Sequence, residues 1–238
     1  MRNLIHADLR RVLRRPTIYV FAGLMQLFVI FAGYSDDAFS QMNTEKNVAA
    51  YMVAIMASVP ILITLYGDDF KAGSIITLIG RGLSRTKIML SKLIVSAILL
   101  LFYYLIALGE CMIFHTFLIE AFYSPKQQIL TVVMFFLMWF RNVALFAFSS
   151  ILMYALWSVA GGLITMLGLI VFTKIILSML FQNSTFNIYD LTLSGLIDKA
   201  YSSLLSGGFP FQLILAVIYF VVFLIIGNLF FKRKELDL

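Results

Sequence analysis

The residue types that could do chemistry gather in one hydrophilic stretch of the sequence, 67–91. Asp68 and Asp69 stand where a short helix would begin, and carboxylates there favour the positive end of the helix dipole. Gly80 and Gly82 would end that helix. The pattern predicts a small helix rimmed by charge, which suits docking to another protein. A solvated loop whose charges only fix membrane topology fits the same composition.

Two further ionisable residues, Glu110 and Arg141, lie within long apolar runs. An ionisable group inside a membrane span costs about 2.5–3.5 kcal/mol on insertion scales, so each needs an explanation. With a rise of about 1.5 Å per residue, the two lie about 10 Å apart in depth, which a long Arg side chain partly bridges. A buried ion pair and a polar substrate path both remain open.

Enzyme chemistry finds little support. His6 and His115 are the only histidines and fall at opposite ends of the predicted spans, so no histidine-based metal site is expected. Cys111, the only cysteine, lies on an apolar helix, where packing is the simpler role. The sequence contains no G-x-x-x-x-G-K-[ST] phosphate loop. We therefore expect no enzyme activity and no bound cofactor in this chain.

The amino-acid composition shows what kind of protein holds these residues. Of 238 residues, 62% are hydrophobic and 13% are charged, and the mean hydropathy is +0.98. Soluble domains are about 45–50% apolar and about 25% charged. Because so few polar residues cannot cover a soluble surface, the solvent must be lipid.

Each membrane crossing needs about 20 apolar residues. The apolar runs predict six helical spans, and the whole chain is expected to form one all-α membrane domain, 1–238. The predicted spans are 17–34, 48–66, 92–114, 130–152, 159–181 and 209–231.

The basic residues indicate the orientation, because Lys and Arg are retained on the cytoplasmic side. They concentrate in 1–15, 71–92 and 232–234, whereas the predicted outer loops contain only Lys46, Lys126 and Lys199. Both termini are therefore expected on the cytoplasmic side of a bacterial cell membrane, which the chain crosses several times. Topology explains the net charge of +6, and no nucleic-acid partner is expected.

Two short helices are predicted beside the spans. In 1–16, Ile5, Leu9 and Val12 recur on one side with arginines opposite, which is typical of a helix lying against membrane lipids, its guanidinium groups at anionic head groups. In 182–208, Asp190 is the expected cap of an outer helix with one apolar side, which by itself would rest on the membrane surface.

The cytoplasmic stretch resembles that of a known family. Asp69-Phe70-Lys71-x-Gly73-Ser74, then Gly82-Leu83-Ser84-Arg85-Thr86-Lys87-Ile88, then Ser91-Lys92-Leu93 are similar to the loop after the second span of type-2 ABC transporter permeases. The layout of six spans, an amphipathic start and a short basic tail is also similar. The resemblance implies that the outer helix in 182–208 dips back into the membrane before the sixth span. Many members have Glu where this chain has Asp68-Asp69, so which of the two carboxylates corresponds stays open.

This resemblance implies that the loop contains a coupling helix that docks on an ATP-hydrolysing subunit. Two such subunits, which bind ATP and Mg, and a second permease subunit, identical or paralogous, would complete the exporter. The residues to which the docking role carries over are Asp68, Asp69, Phe70, Lys71, Gly73, Arg81, Ser84, Arg85, Lys87 and Lys92.

The substrate class is also implied only by resemblance. The small size and the absence of an inserted domain are similar to permeases for bacteriocin or lantibiotic immunity and export of amphipathic peptides. Relatives with the same layout export drugs, glycans or ions. An alternative of a different class is a membrane immunity protein that sequesters a peptide without ATP.

Overall fold

The computed structural model describes residues 1–34, 53–71, 73–117, 125–173, 176–177 and 188–233. Every element of regular structure among these residues is helical, which confirms the all-α class. In chain order the helices are α1 Arg2–Leu13, α2 Pro16–Tyr34, α3 Val53–Gly67, α4 Asp68–Lys71, α5 Ser74–Gly80, α6 Arg85–Phe117, α7 Pro125–Leu156, α8 Val159–Phe172, a 3₁₀ turn Ile188–Leu191, α9 Leu193–Leu205 and α10 Gln212–Arg233.

Three helices are long and apolar enough to cross a membrane: Arg85–Ile113 within α6, Gln128–Leu156 within α7, and α10. They coincide with three of the predicted spans. The other predicted spans, 17–34, 48–66 and 159–181, fall on the apolar helices α2, α3 and α8. The spans 48–66 and 159–181 extend into residues outside the described set, and so do the side chains of 28–34. The total of six spans therefore stays a prediction.

Helix α7 lies at the centre of the bundle. It packs against α6, α8, α9 and α10, and its residues from Arg141 to Ala147 are all buried. By contrast, α10 exposes large apolar side chains such as Ile214, Val217 and Val221. Exposed apolar surface of this kind is what a lipid solvent favours.

The N-terminal helix packs on the protein. Val12 is buried, and Ile5 and Leu9 pack against the core. The apolar side that the sequence assigned to lipid thus contacts the bundle instead. Pro16 is the first residue of α2, where its missing N–H costs no helical hydrogen bond.

The connection between α3 and α6 contains two helices, not the single helix that the sequence predicts. Gly73 adopts a left-handed conformation with φ of 61° and separates α4 from α5. Gly82, with φ of 86°, ends α5 in a Schellman motif: its N–H donates to Ile79 and that of Leu83 donates to Leu78. The predicted end of the short helix is therefore confirmed.

The predicted outer helix is present as α9, but Asp190 does not cap it. Thr192 does, because its hydroxyl accepts a 3.1 Å hydrogen bond from the Gly195 N–H. Asp190 lies in the preceding 3₁₀ turn and pairs with Lys199 at 2.8 Å on the surface. Threonine is a good N-cap, and the sequence argument missed it in favour of the nearby carboxylate.

Four chain segments meet at one end of the bundle. Arg11 of α1 contacts Asp69 of α4, and Phe70 of α4 contacts Trp157 in the turn between α7 and α8. Arg85, the first residue of α6, contacts the last turn of α10. This end of the molecule therefore contains α1, the α3–α6 connection, the α7–α8 turn and the end of α10.

Candidate functional site

Four charged side chains form a buried network where these segments meet. We call Asp8, Arg11, Asp69 and Lys92 the ion cluster. Arg11 binds Asp69 through both of its terminal nitrogens, with Nη1–Oδ1 at 2.5 Å and Nη2–Oδ2 at 3.0 Å. Lys92 donates to Asp69 Oδ2 and, at 3.1 Å, to Asp8 Oδ1. Two carboxylates thus balance two cations.

The backbone supplies further acceptors and donors to the ion cluster. The last turn of α3, Ile63–Gly67, is π-helical. The Leu65 carbonyl there accepts from Arg11 Nη2 at 3.3 Å and from Lys92 Nζ at 3.4 Å. Both cations of the ion cluster therefore share this one carbonyl. Ser74, at the start of α5, donates to Asp69 Oδ1 at 2.5 Å.

Local sequence positions each member of the ion cluster. Asp8 and Arg11 are three residues apart on α1, so they share one side of the helix and pair at 3.1 Å. Lys92 lies in the third turn of α6 and its side chain is only 1% exposed. Asp69 belongs to the single turn α4, directly after the apolar α3. The network therefore fixes α4 to both α1 and α6.

Asp69 is charged in this setting. Burial by itself would raise the pKa of the Asp69 carboxyl, but the hydrogen bond from Arg11 and the positive charge of Lys92 outweigh that effect. Together with the hydrogen bonds from Lys92 and Ser74, they lower its pKa from the ordinary 3.8 to about 2. The ion pairs therefore persist throughout the physiological pH range.

An aromatic cluster lies next to the ion cluster. It joins α3, α4, the α7–α8 turn and α10 through ring contacts with centroid separations of 4.2 Å for Tyr154 and Phe231 and 4.8 Å for Phe70 and Trp157. Tyr66 contacts both Phe70 and Tyr154 at about 6.5 Å. Edge-to-face and offset-stacked rings at such distances contribute beyond the area they bury. The members of this aromatic cluster are Tyr66, Phe70, Tyr154, Trp157 and Phe231.

Trp157 occupies an unusual backbone position. Its φ is +52°, in the left-handed region that large residues rarely adopt. Ser158 follows and caps α8 by accepting a hydrogen bond from the Ala160 N–H at 3.2 Å. This tight turn presents the indole to Phe70, and it lies between the fourth and fifth predicted spans.

Arg85 and Thr86 tie the start of α6 to the end of α10. Arg85 Nη1 donates to the carbonyls of Phe231 and Lys232 at 2.8 and 2.9 Å, and its guanidinium lies 5.9 Å from the Phe231 ring centroid. Thr86 donates to the Asn228 side chain at 2.8 Å. A cation at the C-terminal end of a helix stabilises that helix.

The second half of the α3–α6 connection, away from the ion cluster, is exposed. Thr77, Arg81, Ser84 and Lys87 are exposed, and we call these four residues the loop tip. The Ser84 hydroxyl accepts a hydrogen bond from the Lys87 N–H at 3.4 Å and so caps the start of α6. Gly73, the glycine of the predicted docking set, lies between α4 and the loop tip.

The structure divides the predicted docking residues into two sets. Arg81, Ser84 and Lys87 belong to the exposed loop tip, whereas Asp69 and Lys92 are 2% and 1% exposed. That burial leaves Asp69 and Lys92 no surface for a partner, and it assigns them an internal role. Phe70 and Arg85 are half-buried and occupied by contacts within the chain, and the side chains of Asp68 and Lys71 lie outside the described set.

The two mid-span candidates do not come together. Arg141 is fully buried on α7 and Glu110 is half-buried on α6. Among the described side chains, Glu110 forms no ion pair with Arg141. A role for either residue in a substrate path stays a prediction.

Sequence reasoning missed three parts of the site. Asp8 drew no attention, although it is the only carboxylate among the arginines of α1 and is spaced to pair with Arg11. Arg11 was assigned to the lipid-facing set. Trp157 and Phe231 carry no sequence signal, because their contacts depend on helices distant in the chain.

Within the part of the chain that the structure describes, no group of three or more His, Cys, Asp or Glu side chains could hold a metal ion. The site is therefore a set of ion pairs, ring contacts and an exposed basic tip that can hold helices together and present a surface.

A family model described as "Protein of unknown function (DUF2705)" matches residues 18–236. No curated protein matches the chain.

Proposed function

This chain belongs to the DUF2705 family of proteins of unknown function, and we propose that it is the membrane-spanning permease subunit of an ATP-driven ABC exporter. The main support for this proposal is the architecture of the α3–α6 connection. Its base is fixed by the ion cluster, and its tip is exposed and basic. A partner that pushes on such a tip would move the helices attached to its base.

The location of the connection supports this function. The loop tip shares one end of the bundle with α1 and the end of α10, which agrees with six crossings and with both termini in the cytoplasm. Basic residues concentrate at that end, as expected of the cytoplasmic side. A cytoplasmic ATPase subunit would find the loop tip within reach.

The energy source would be a separate subunit. The sequence has no phosphate loop, and its connecting loop resembles that of type-2 ABC permeases. In the proposed complex, two ATPase subunits bind ATP and Mg, and two permease subunits, identical or paralogous, enclose the route. Closure of the ATPase subunits presses on Arg81 and Lys87, and the ion cluster transmits that movement to α1 and α6.

The proposed cargo is an amphipathic peptide of the bacteriocin or lantibiotic type, moved out of a bacterial cell or its membrane. This choice rests on the resemblance in size and layout. Drugs, glycans and ions are the cargo of relatives with the same layout. The peptide-binding immunity protein without ATP is the alternative that the following test separates.

The test is a charge reversal at the loop tip. We expect Arg81→Glu with Lys87→Glu to abolish co-purification of an ABC-type ATPase, because both side chains are exposed and lie on the proposed docking surface. The measurement is affinity purification in mild detergent, with the ATPase identified by mass spectrometry through its own phosphate-loop sequence.

Lys232→Glu with Arg233→Glu is the matched control, since both residues are exposed at the same end and the charge change is equal. The control should insert into the membrane and retain the ATPase. Equal retention by both variants would remove the docking assignment. A native assembly that never contains an ATPase would favour the immunity protein.

A further inference from the structure

The proposed function makes no use of one cavity within the bundle. Its volume is about 180 Å³, and it lies between α7, α8, the start of α9 and α10. Leu145 and Phe148 on its wall belong to the apolar helix segment Gln128–Leu156, and Phe223 belongs to α10. Phe223 precedes Phe231 of the aromatic cluster by eight residues, which is a rise of about 12 Å along α10. The cavity is therefore separate from the site at the end of the bundle and lies within its apolar part.

The walls of the cavity are mainly apolar and aromatic. Phe148 and Phe223 meet edge to face with ring centroids 4.9 Å apart, and the Tyr219 ring lies 6.1 Å from that of Phe223. An apolar cavity of about 150 Å³ lined by Leu, Ile and Phe binds benzene, so this cavity has room for a single aromatic ring. A ring placed here continues the edge-to-face arrangement that aromatic side chains prefer. The remaining apolar lining residues are the leucines Leu145, Leu169 and Leu193.

Helix α8 is irregular where it borders the cavity. Its residues Gly168–Phe172 form a π-helical turn, and Leu169 in that turn lines the cavity. Thr173, the residue after the turn, lines it as well. π-Helical turns inside α-helices are rare and occur frequently at functional sites. The departure from regular helix therefore coincides with the cavity wall.

The start of α9 supplies the polar part of the lining. Thr192 has its hydroxyl occupied, since it donates to the Tyr189 carbonyl and accepts from the Gly195 N–H. Ser194 is only 6% exposed, and its hydroxyl forms no hydrogen bond with any residue that the structure describes. The N–H groups of Leu193 and Ser194 lie in the first turn of the helix, where intrahelical acceptors are lacking. The Ser194 hydroxyl is therefore a buried polar group left for a ligand in the cavity.

We infer that this cavity is a binding site for a small neutral molecule of the phenol class, with one aromatic ring and one oxygen substituent. The ring lies against Phe148 and Phe223, and the oxygen forms a hydrogen bond with Ser194. A buried hydroxyl without a partner is costly, so a ligand that pairs with it is favoured over a purely apolar one. A lipid tail carries no polar group along its length and would leave this hydroxyl unpaired. A full charge is disfavoured in an apolar cavity.

Such a ligand reaches the cavity from the membrane. Phe148, Tyr219 and Phe223 are only half-buried, so the wall that they form is not sealed. Small neutral aromatic molecules dissolve in the apolar layer that surrounds α7 and α10. The site requires no ATPase subunit and therefore does not depend on the proposed function.

The test is photolabelling of the full chain in phosphatidylcholine vesicles with 4-azidophenol, followed by mass spectrometry of the labelled residues. We expect label on the cavity residues of α7, α9 and α10, and we expect excess p-cresol to displace it. Toluene has the same ring and methyl group but no hydroxyl. At equal concentration in the membrane it should compete about fivefold less well, the equivalent of about 1 kcal/mol for one hydrogen bond.

Two variants and a control locate the ligand. Ser194→Ala removes the hydroxyl and should make p-cresol and toluene equal competitors. Leu169→Phe fills the cavity and should abolish the label that p-cresol displaces. Leu229→Phe makes the same change on α10 at a position that is 47% exposed and away from the cavity, and should keep that label. Unfolding temperatures show whether each variant is folded, and Ser194→Ala keeps the test decisive if Leu169→Phe is not.

Several outcomes would overturn the inference. One is label in the wild-type chain that p-cresol does not displace, and another is equal competition by toluene and p-cresol in the wild type. Unchanged label in a folded Leu169→Phe variant would place the ligand elsewhere, as would equal loss of label in Leu229→Phe. A chain that never retains an ATPase should still bind the probe, so failure here and failure of the docking test are distinct results.

Discussion

The base and the tip of the α3–α6 connection carry the same types of charge in opposite environments. At the base, Asp69 and Lys92 are 2% and 1% exposed and are joined by an ion pair. At the tip, Arg81 and Lys87 are exposed, and within the described part of the chain neither forms an ion pair. Sequence position alone does not separate these two environments, since all four residues fall within 24 positions.

The two environments determine what the base and the tip can do. Removing charges from water is expensive, and a buried ion pair stabilises little over an apolar pair of equal volume. What a buried network supplies is a defined geometry, since each member has one set of partners. The base therefore fixes α4 relative to α1 and α6, while the tip keeps its charges available for a partner.

The largest expected effect is at the base. Asp69→Asn removes the carboxylate that serves Arg11 and Lys92, and leaves a buried ammonium short of counter-charge. Breaking a buried pair in this way costs about 3–5 kcal/mol. We expect a large drop in the thermal unfolding temperature of the detergent-solubilised protein.

Asp190→Asn is the control for Asp69→Asn. It removes the carboxylate of the surface pair with Lys199, whose side chains are 34% and 47% exposed. Exposed pairs contribute about 0–1 kcal/mol, so this variant should unfold close to the wild type. The double variant Asp69→Asn with Lys92→Gln should recover part of the loss, because Asp8 and Arg11 then balance. Equal unfolding temperatures for Asp69→Asn and Asp190→Asn would refute the structural role of the base.

Acid offers a second measure of the same carboxylate. Because the pKa of Asp69 is lowered to about 2 in the folded protein, its contribution to stability is fully present above the unfolded value of 3.8. That contribution is lost as the pH falls from about 4 to about 2. The stability gap between wild type and Asp69→Asn should therefore narrow over this range.

The next largest effect concerns Arg85, between base and tip. Arg85→Ala removes the donor to the Phe231 and Lys232 carbonyls. Hydrogen bonds to charged groups contribute about 1.5–3 kcal/mol, so we expect faster amide hydrogen exchange in the last turns of α10. Arg81→Ala, an exposed arginine four residues earlier, should leave this exchange unchanged. Faster exchange in both variants would mean that Arg85 acts through general charge and not through α10.

Most of the helical layout followed from the sequence, because long apolar runs allow few alternatives. The all-α class, the three long apolar helices and the end of α5 at Gly82 were all predicted from local patterns. The break at Gly73 was missed, since the segment reads as one short helix when only its ends are considered.

The internal arrangement of the charges could not be predicted. Asp69 and Lys92 were assigned to a docking surface through the resemblance to type-2 ABC permeases, which says nothing of whether a side chain is buried. Their burial depends on Arg11, 58 residues before Asp69, and no periodic pattern links residues so far apart. In the same way, the sequence does not show that Arg85 contacts α10, because its partner Phe231 lies 146 residues later in the chain.

The smallest effect tests whether base and tip are separate units. Gly73 and Gly80 bracket α5, and an added Cβ at either position would meet no atom within 4 Å, so any effect is confined to the backbone. Gly73→Ala forces a left-handed alanine with φ near 61°, at a cost of about 1–2 kcal/mol. Gly80→Ala, at the helical end of α5, should instead stabilise the helix by up to about 1 kcal/mol.

If the base holds itself through the ion cluster, Gly73→Ala should lower the unfolding temperature no further than its backbone cost of about 1–2 kcal/mol implies, and Gly80→Ala should not lower it. Amide exchange within α5 should still move in opposite directions, faster for Gly73→Ala and slower for Gly80→Ala. The Thr77 N–H, which donates to the Gly73 carbonyl at 3.2 Å, is the most direct probe. If Gly73→Ala also accelerated exchange in α4, the distinction between base and tip would fail, because strain at the tip would then reach the ion cluster.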